Sequence, residues 1–221
     1  MTILYIDTTT NYLYSAISMN NQITGEIKAK LDKDLSVFTL PKIKEMLEDG
    51  HVDPKDVDKI LVVNGPGSFT GVRIGVTIAK TYAWSLKKKI STVSSLMAMA
   101  LSTKKGKTYK VPFIDARRGY GYAAIYDEEN RPVLKDQYMS IEALKCAIEH
   151  LPGEYTIITN TPIEGLENNC EEYDPNFAKI VEFCKDNVEL NPHAVNPNYL
   201  KLTEAEEKKR KNSYDCKIDC G

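Results

Sequence analysis

The composition of the 221-residue chain is that of an ordinary globular protein, with 42% hydrophobic and 27% charged residues. The length allows one or two domains. A formal net charge of −2 gives no positive surface with which the chain alone could hold RNA or DNA, so nucleic acid would need a partner protein. Residues 1–10 lack both a basic start and an apolar run as long as a signal peptide or membrane span. We therefore expect a cytoplasmic protein without membrane contact.

The first half of the chain predicts three strands followed by a helix, a strand and a second helix. The alternation of apolar and polar residues predicts a hairpin over 3–18 and a third extended run over 22–31. An amphipathic helix over 36–49, a buried strand over 59–64 and a long helix over 71–86 follow.

The second half predicts the same order of elements. A hairpin covers 111–126, an extended run covers 131–139, an amphipathic helix covers 141–150, a strand covers 155–160 and a helix covers 176–188. The short polar segment 102–109 separates the halves. We place the domains at 1–104 and 105–202, with a charged C-terminal helix over 203–221 that joins the first half.

The two hairpins also match each other in sequence. Residues 3–18 align without a gap on residues 111–126, and six of the sixteen positions are identical. Average composition would give about one match. The match predicts an internal duplication, although two unrelated tyrosine-rich hairpins remain an alternative. The identical pairs are Ile6/Ile114, Asp7/Asp115, Tyr12/Tyr120, Tyr14/Tyr122, Ala16/Ala124 and Ile17/Ile125.

The segment Asn64–Gly71 connects a predicted strand to the long helix, which is where a phosphate-binding loop would lie. Its spacing is not G-x-x-x-x-G-K-[ST], because Val72 and Arg73 stand where that loop needs a lysine and a hydroxyl. We favour a structural role, with glycines in a tight turn and Ser68 or Thr70 as the helix N-cap. Anion binding remains the alternative.

The long helix carries small residues at every fourth position, which form a strip along one face: Gly71, Gly75, Ala79 and Ala83. Glycine inside an exposed helix costs about 1 kcal/mol relative to alanine, so another backbone is expected close to this strip. We predict contact with a partner helix, and the alternative is that the strip lies inside its own domain. The predicted interface residues are Gly71, Val72, Gly75, Ala79, Tyr82 and Ala83.

Five cysteines are scattered through the second half, with no C-x-x-C pair and no nearby histidine to complete a zinc site. Cysteines of a cytoplasmic protein are normally reduced. The predicted free thiols are Cys146, Cys170, Cys184, Cys216 and Cys220.

The repeated order of strands and helices, with an aspartate at the end of each first strand, resembles the actin-like superfamily. Within it, the chain resembles the TsaB (YeaZ-like) family of bacterial tRNA threonylcarbamoyladenosine biosynthesis proteins. The motifs are Ile-Asp-Thr at 6–8, GPGSFTGVRIG at 65–75, Asp-Ala-Arg-Arg at 115–118, Asn-Pro-His-Ala at 191–194 and Pro-x-Tyr-Leu at 197–200. The resemblance implies an α/β, duplicated actin-like (ribonuclease H-like) fold of two βββαβα halves, with mixed sheets flanked by helices. One departure is Leu35-Ser36, where family members commonly have His-Ser.

The resemblance also implies a non-catalytic scaffold or activating subunit. Such a subunit pairs with the catalytic paralogue TsaD and acts with the ATPase TsaE. Together they transfer a threonylcarbamoyl group to N6 of adenosine 37 in tRNAs that read codons beginning with A. The expectation is then that ATP and metal bind the partner subunits, that this chain binds no cofactor by itself, and that tRNA is contacted only through the complex. A homodimer is expected when the partner is absent.

No catalytic or metal-binding residues are predicted. Three histidines, at 51, 150 and 193, are isolated. The second half also lacks a glycine pair that would admit adenine, because Gly153 and Gly165 are the only glycines between residues 122 and 220. A vestigial nucleotide cleft is expected at Asp7, Thr8, Gly65, Gly67, Ser68, Asp115 and Arg117. An independent actin-fold kinase or ATPase, and a glycoprotease-like peptidase, remain the alternative functions.

Overall fold

The computed structural model describes residues 1–106 and 108–201, which form two five-stranded sheets with helices packed against them. The first sheet consists of β1 (Thr2–Asp7), β2 (Tyr12–Met19), β3 (Gln22–Lys30), β4 (Lys59–Val63) and β5 (Lys89–Val93). Its part of the chain contains the helices α1 (Leu35–Asp49), α2 (Phe69–Ser85) and α3 (Ser95–Leu101). The second sheet consists of β6 (Tyr109–Asp115), β7 (Tyr120–Tyr126), β8 (Pro132–Ser140), β9 (Tyr155–Ile158) and β10 (Cys170–Glu171), with the helices α4 (Ile141–Glu149) and α5 (Phe177–Cys184).

Both sheets have the same topology. The strand order is β3-β2-β1-β4-β5 in the first and β8-β7-β6-β9-β10 in the second, with antiparallel hairpins and parallel crossovers at equivalent places. This arrangement confirms the predicted α/β class and the two βββαβα halves with mixed sheets. The sequence patterns missed β5 and α3 in the first half and the two-residue β10 in the second.

The gapless alignment of the two hairpins holds only in part. Ile6 lies opposite Ser15, and the alignment would therefore place Ile114 opposite Ala123, but Ile114 lies opposite Tyr122. A one-residue shift sends every side chain of a strand to the other face of its sheet. Ile6 accordingly packs in an outer core, whereas Ile114 packs against the core between the halves.

That central core takes buried side chains from both halves. Helix α3 packs on β6 and β7, while α5 packs on β1, β2 and β3, so each half covers part of the other half's sheet. Lys59, at the start of β4, is buried and holds the end of α5. Its Nζ donates to the carbonyl oxygens of Lys185 at 2.8 Å and Asn187 at 3.1 Å, which are carbonyls that a helix C-terminus leaves unpaired.

Residues 190–199, which we assigned to the second half, lie against the first. Leu190 forms an isolated bridge with Ile90, and the N–H of Asn198 donates to the carbonyl oxygen of Asn64 at 2.7 Å. Val195 is buried in the outer core beneath α2. The predicted helix over 203–221 lies outside the described residues, and the domain limits remain a prediction. None of the helices in the described ranges is long and apolar enough to cross a membrane.

Candidate functional site

A cleft of about 740 Å³ opens between the two halves. The turn after β1, the start of α2, the end of β6 and the segment that precedes residue 201 form its walls. Its polar and aromatic lining includes Thr9, Thr10, Asn11, Asp32, Gly67, Ser68, Phe69, Asp115, Arg117, Tyr122, Asn160, Tyr173, Tyr199 and Lys201. Of the predicted cleft residues, Gly67, Ser68, Asp115 and Arg117 line it.

Asp7 lies buried beneath the cleft at the end of β1 and is only 2% exposed. Its Oδ1 accepts hydrogen bonds from the backbone N–H of Thr9 at 2.8 Å and from the Thr9 hydroxyl at 2.7 Å. The Tyr5 hydroxyl donates to Oδ2 at 3.4 Å. Burial raises the pKa of the Asp7 carboxyl, and the hydrogen bonds from Thr9 and Tyr5 act in the opposite direction. The carboxyl group therefore stabilises the turn that follows β1.

Asp115 ends the equivalent strand β6 and is exposed at the cleft wall. Its Oδ1 accepts a hydrogen bond from the backbone N–H of Arg117 at 3.0 Å. Asp7 likewise accepts from the N–H of the residue two positions later, Thr9. Each aspartate thus stabilises its own hairpin turn. The two turns share this backbone contact, although Asp7 is buried and Asp115 is exposed.

The strip of small residues on α2 packs against the turn after β1. The Thr8 hydroxyl donates to the carbonyl oxygen of Gly71 at 2.7 Å, and the N–H of Ser68 donates to the carbonyl oxygen of Thr9 at 2.7 Å. A Cβ atom on Gly71 would lie 2.0 Å from the Thr8 carbonyl oxygen, and one on Gly75 would lie 2.5 Å from Thr8 Oγ1. The backbone that approaches these glycines belongs to the chain itself.

This packing corrects the location that the sequence suggested for a partner contact. Five of the six predicted interface residues are buried in the fold, namely Gly71, Val72, Gly75, Ala79 and Ala83. The sixth, Tyr82, is half-buried, and its hydroxyl donates to the carbonyl oxygen of Pro54 at 2.7 Å. The strip is filled by intramolecular packing because β1 and β4 lie directly beneath α2.

The glycine-rich segment ahead of α2 is held by internal contacts. Ser68 is the N-cap of α2, and its Oγ accepts from the N–H of Gly71 at 3.2 Å. A Cβ atom on Gly67 would lie 2.3 Å from the carbonyl oxygen of Thr9. Gly65 has φ = +107°, in the region that favours glycine, and its carbonyl oxygen accepts from the N–H of Ser95. The segment therefore joins α2 to β1 and α3.

The outward side of α1 and α2 carries exposed apolar residues that the sequence analysis did not single out. Val37 is 60% exposed and Leu40 is 55% exposed on α1. On α2, Ile74 and Ile78 are half-buried between the exposed threonines at 70, 77 and 81, and no charge occurs between Arg73 and Lys80. The spacing of these threonines by seven and four residues, which places them on one side of a helix, could have indicated this face. We call Val37, Leu40, Ile74, Thr77, Ile78 and Thr81 the α1–α2 face.

A family model described as "TsaD: tRNA N6-adenosine threonylcarbamoyltransferase" matches residues 9–178. The TsaB protein of Bacillus subtilis is 35% identical over 223 aligned residues, which cover 94% of this chain and 97% of that protein. The chain belongs to the TsaB (YeaZ-like) family. The family model carries the name of the transferase, whereas the Bacillus subtilis relative carries the name of the biosynthesis protein TsaB.

A solved structure has the same fold. It is described as an uncharacterized protein with similarity to peptidase YEAZ from Pseudomonas aeruginosa, and it covers 90% of this chain and 99% of its own with a TM-score of 0.77 at 20% identity. The predicted α/β fold of two halves with mixed sheets is therefore shared with this solved structure. A transferase of Treponema denticola is 23% identical over 65% of this chain and 40% of its own length. This TsaB-family chain is therefore homologous to the transferases.

Leu35, at the start of α1, is buried and borders the cleft. Among residues 1–106 and 108–201, no three His, Cys, Asp or Glu side chains lie close enough to hold a metal ion.

Cys146, Cys170 and Cys184 are free thiols, and Cys216 and Cys220 lie beyond the described part of the chain.

Proposed function

We propose that this chain is the non-catalytic subunit of a threonylcarbamoyl transferase that modifies N6 of adenosine 37 in tRNAs reading codons that begin with A. It pairs with a TsaD-type catalytic subunit in the cytoplasm and acts with the ATPase TsaE. The observation that carries the proposal is the 35% identity to a TsaB protein over almost the whole of both chains. That relative is named as a tRNA threonylcarbamoyladenosine biosynthesis protein.

The burial of Asp7 supports a role without catalysis. Asp7 lies beneath the cleft, is only 2% exposed and is bonded to Thr9. A carboxylate that positions magnesium or activates a nucleophile must reach the reacting group. ATP and metal are accordingly assigned to the partner subunits, and the tRNA is modified only in the complex.

Homology to the transferases supports pairing through like surfaces. Two homologous chains can pair about an approximate two-fold axis, in which equivalent patches face each other. The α1–α2 face suits such a contact because it carries exposed apolar side chains on α1 and half-buried isoleucines on α2, and exposed apolar patches mark interaction sites. Val37 and Leu40 are more than half exposed, and the threonines of α2 allow close approach of a second pair of helices. Two copies of this chain could pair through the same face when the TsaD-type subunit is absent.

The variant Thr77→Arg tests this pairing. Thr77 is exposed at the centre of the face, so an arginine there is compatible with the folded monomer. In the complex the guanidinium would be buried without a partner, which should weaken the affinity by about 100-fold or more. Size-exclusion chromatography with the TsaD-type subunit of the same organism measures the loss, and circular dichroism checks the fold.

The matched control is Thr24→Arg, which places the same side chain on an exposed threonine of β3. This control should co-elute with the TsaD-type subunit as the unsubstituted chain does. If the folded Thr77→Arg variant also co-elutes unchanged, the contact lies elsewhere. If the unsubstituted chain fails to bind the TsaD-type subunit at all, the proposed function itself is wrong.

A further inference from the structure

Two groups of exposed or half-buried aromatic side chains lie at the cleft, one on each half of the protein. On the second sheet, Tyr122 lies opposite Tyr138 across β7 and β8, and Tyr120 stacks on Tyr138 with ring centroids 5.1 Å apart and planes at 14°. On the first half, Phe69 stacks on Tyr199 with centroids 4.8 Å apart. Tyr122, Phe69 and Tyr199 all line the cleft.

Cations accompany both groups. The Arg73 guanidinium lies 3.8 Å from the ring centroid of Phe69, and its Nε–H donates to the Tyr199 hydroxyl at 2.8 Å. Lys201 Nζ lies 5.2 Å from the ring centroid of Tyr138, and Arg117 lines the cleft at the tip of the β6–β7 hairpin. These side chains place positive charge beside the aromatic faces.

Two carboxylates also border the cleft, and each is engaged locally. Asp32 accepts a hydrogen bond from the side-chain amide of Asn11 at 2.9 Å, and Asp115 accepts from the N–H of Arg117. Arg117 and Lys201 balance them in the cleft lining, and Arg73, stacked on Phe69, adds a further positive charge at the edge. The local charge of the rim is therefore positive, although the whole chain is slightly negative.

We propose that this rim binds unpaired RNA nucleotides. We define the aromatic rim as Phe69, Arg73, Arg117, Tyr120, Tyr138, Tyr199 and Lys201, with Tyr122 on the wall below. Aromatic faces beside cations are what single-stranded nucleic acid requires, because bases stack on the rings and phosphates pair with the charges. The inference rests on the proposed function, since a tRNA offers unpaired nucleotides in its loops. An acidic or aromatic peptide is the competing occupant, and the test must separate the two.

Photocrosslinking of a 4-thiouridine-labelled anticodon stem-loop RNA tests the site, both with the isolated chain at low salt and with the TsaD-type pair. Low salt is needed because phosphate contacts weaken steeply as salt concentration rises. Crosslinked peptides found by mass spectrometry should contain Tyr120, Tyr138 or Tyr199. Crosslinks confined to other parts of the chain would overturn the inference.

A matched pair of variants measures the contribution of stacking. Tyr120→Leu removes an exposed ring, whereas Tyr120→Phe keeps it. Fluorescence anisotropy should give an affinity about tenfold weaker for Tyr120→Leu and unchanged for Tyr120→Phe. Phe183→Leu, on α5, removes a ring of similar exposure away from the rim, 46% against 43% for Tyr120, and should bind RNA normally.

Tyr138→Leu is the second variant if Tyr120→Leu proves unstable, and the same loss is expected. Equal affinity for the leucine and phenylalanine variants would refute RNA stacking. A Tyr120→Leu variant that keeps its RNA affinity but loses the TsaD-type subunit would identify the rim as a protein contact and also refute it. Failure of the unsubstituted chain to pair would refute the proposed function, and the crosslinks to the isolated chain would still decide the RNA inference.

Discussion

The glycines of α2 should respond very differently to alanine, although both belong to the same strip. A methyl group on Gly71 would lie 2.0 Å from the carbonyl oxygen of Thr8, which is a backbone atom. A methyl group on Gly75 would lie 2.5 Å from Thr8 Oγ1, which a side-chain rotation can move away. Alanine at Gly71 therefore meets a backbone atom that is fixed, whereas alanine at Gly75 meets a side-chain atom that can move.

The magnitudes follow from these contacts. Alanine gains about 1 kcal/mol over glycine inside a helix. At Gly71, α2 would have to shift by more than 1 Å to reach an ordinary contact distance, and overpacking of this kind costs about 1–3 kcal/mol. The shift would also weaken the 2.7 Å bond from Ser68 to Thr9. We expect Gly71→Ala to lower the free energy of unfolding by about 2 kcal/mol.

At Gly75, rotation of Thr8 relieves the overlap but breaks its 2.7 Å bond to the Gly71 carbonyl oxygen, at a cost of about 1 kcal/mol. This loss offsets the helix gain, so Gly75→Ala should change the free energy of unfolding by less than about 1 kcal/mol. In a Thr8→Ala background the same substitution should stabilise the protein by about 1 kcal/mol, while Gly71→Ala should remain destabilising.

Urea denaturation followed by circular dichroism gives the free energy of unfolding of the three single and two double variants. These values and that of the unsubstituted protein define two coupling energies, one between Thr8 and Gly71 and one between Thr8 and Gly75. If Gly71→Ala is as stable as the unsubstituted chain, or if Thr8→Ala rescues Gly71→Ala completely, the packing described for α2 is wrong.

Three further outcomes are expected. Asp7→Asn should keep the Thr9 bonds and raise the free energy of unfolding near pH 7 by about 1 kcal/mol. The folded pKa of Asp7 is raised, so the protein takes up a proton on folding between the unfolded value near 4 and that raised value. The free energy of unfolding of the unsubstituted protein therefore falls as pH rises through this window, and Asp7→Asn should give no gain at pH values below it. Urea denaturation at a series of pH values would contradict this if Asp7→Asn were equally stabilising at low pH. Lys59→Met should destabilise the protein by about 2 kcal/mol, because two carbonyl oxygens at the end of α5 lose their donor, and an unchanged urea midpoint would argue against the contact. Native alkylation should label exposed Cys146 well before Cys184, since burial raises the pKa of the Cys184 thiol to about 11; mass spectrometry that finds Cys184 labelled first would exclude this burial.

The sequence predicted most of the fold because its elements have clear periodicity. The hairpins alternate, and the amphipathic helices and buried strands end within a few residues of their predicted limits. Strand β5 was missed because Lys89–Val93 is short and follows a basic run, so that no period can be recognised. The two residues of β10 carry no signal of their own.

The site was harder to predict because its contacts join distant parts of the chain. The burial of Gly71 depends on Thr8, which lies 63 residues earlier. The cleft brings together Phe69, Tyr122 and Tyr199, and nothing in their sequence neighbourhoods relates them. The motif at 65–75 was recognised by resemblance, but only the structure distinguishes its inward strip from its exposed face.

The most direct test of the central claim is the formation of threonylcarbamoyladenosine in a reconstituted reaction, measured by mass spectrometry of digested tRNA. The reaction contains the TsaD-type subunit, TsaE, ATP, the threonylcarbamoyl donor and tRNA, with or without this chain. We predict that product forms only when the chain is present, and that an Asp7→Asn, Asp115→Asn double variant supports the same yield because asparagine preserves both turns. Product formed without the chain, or lost with a folded double variant that still binds its partner, would contradict a non-catalytic subunit.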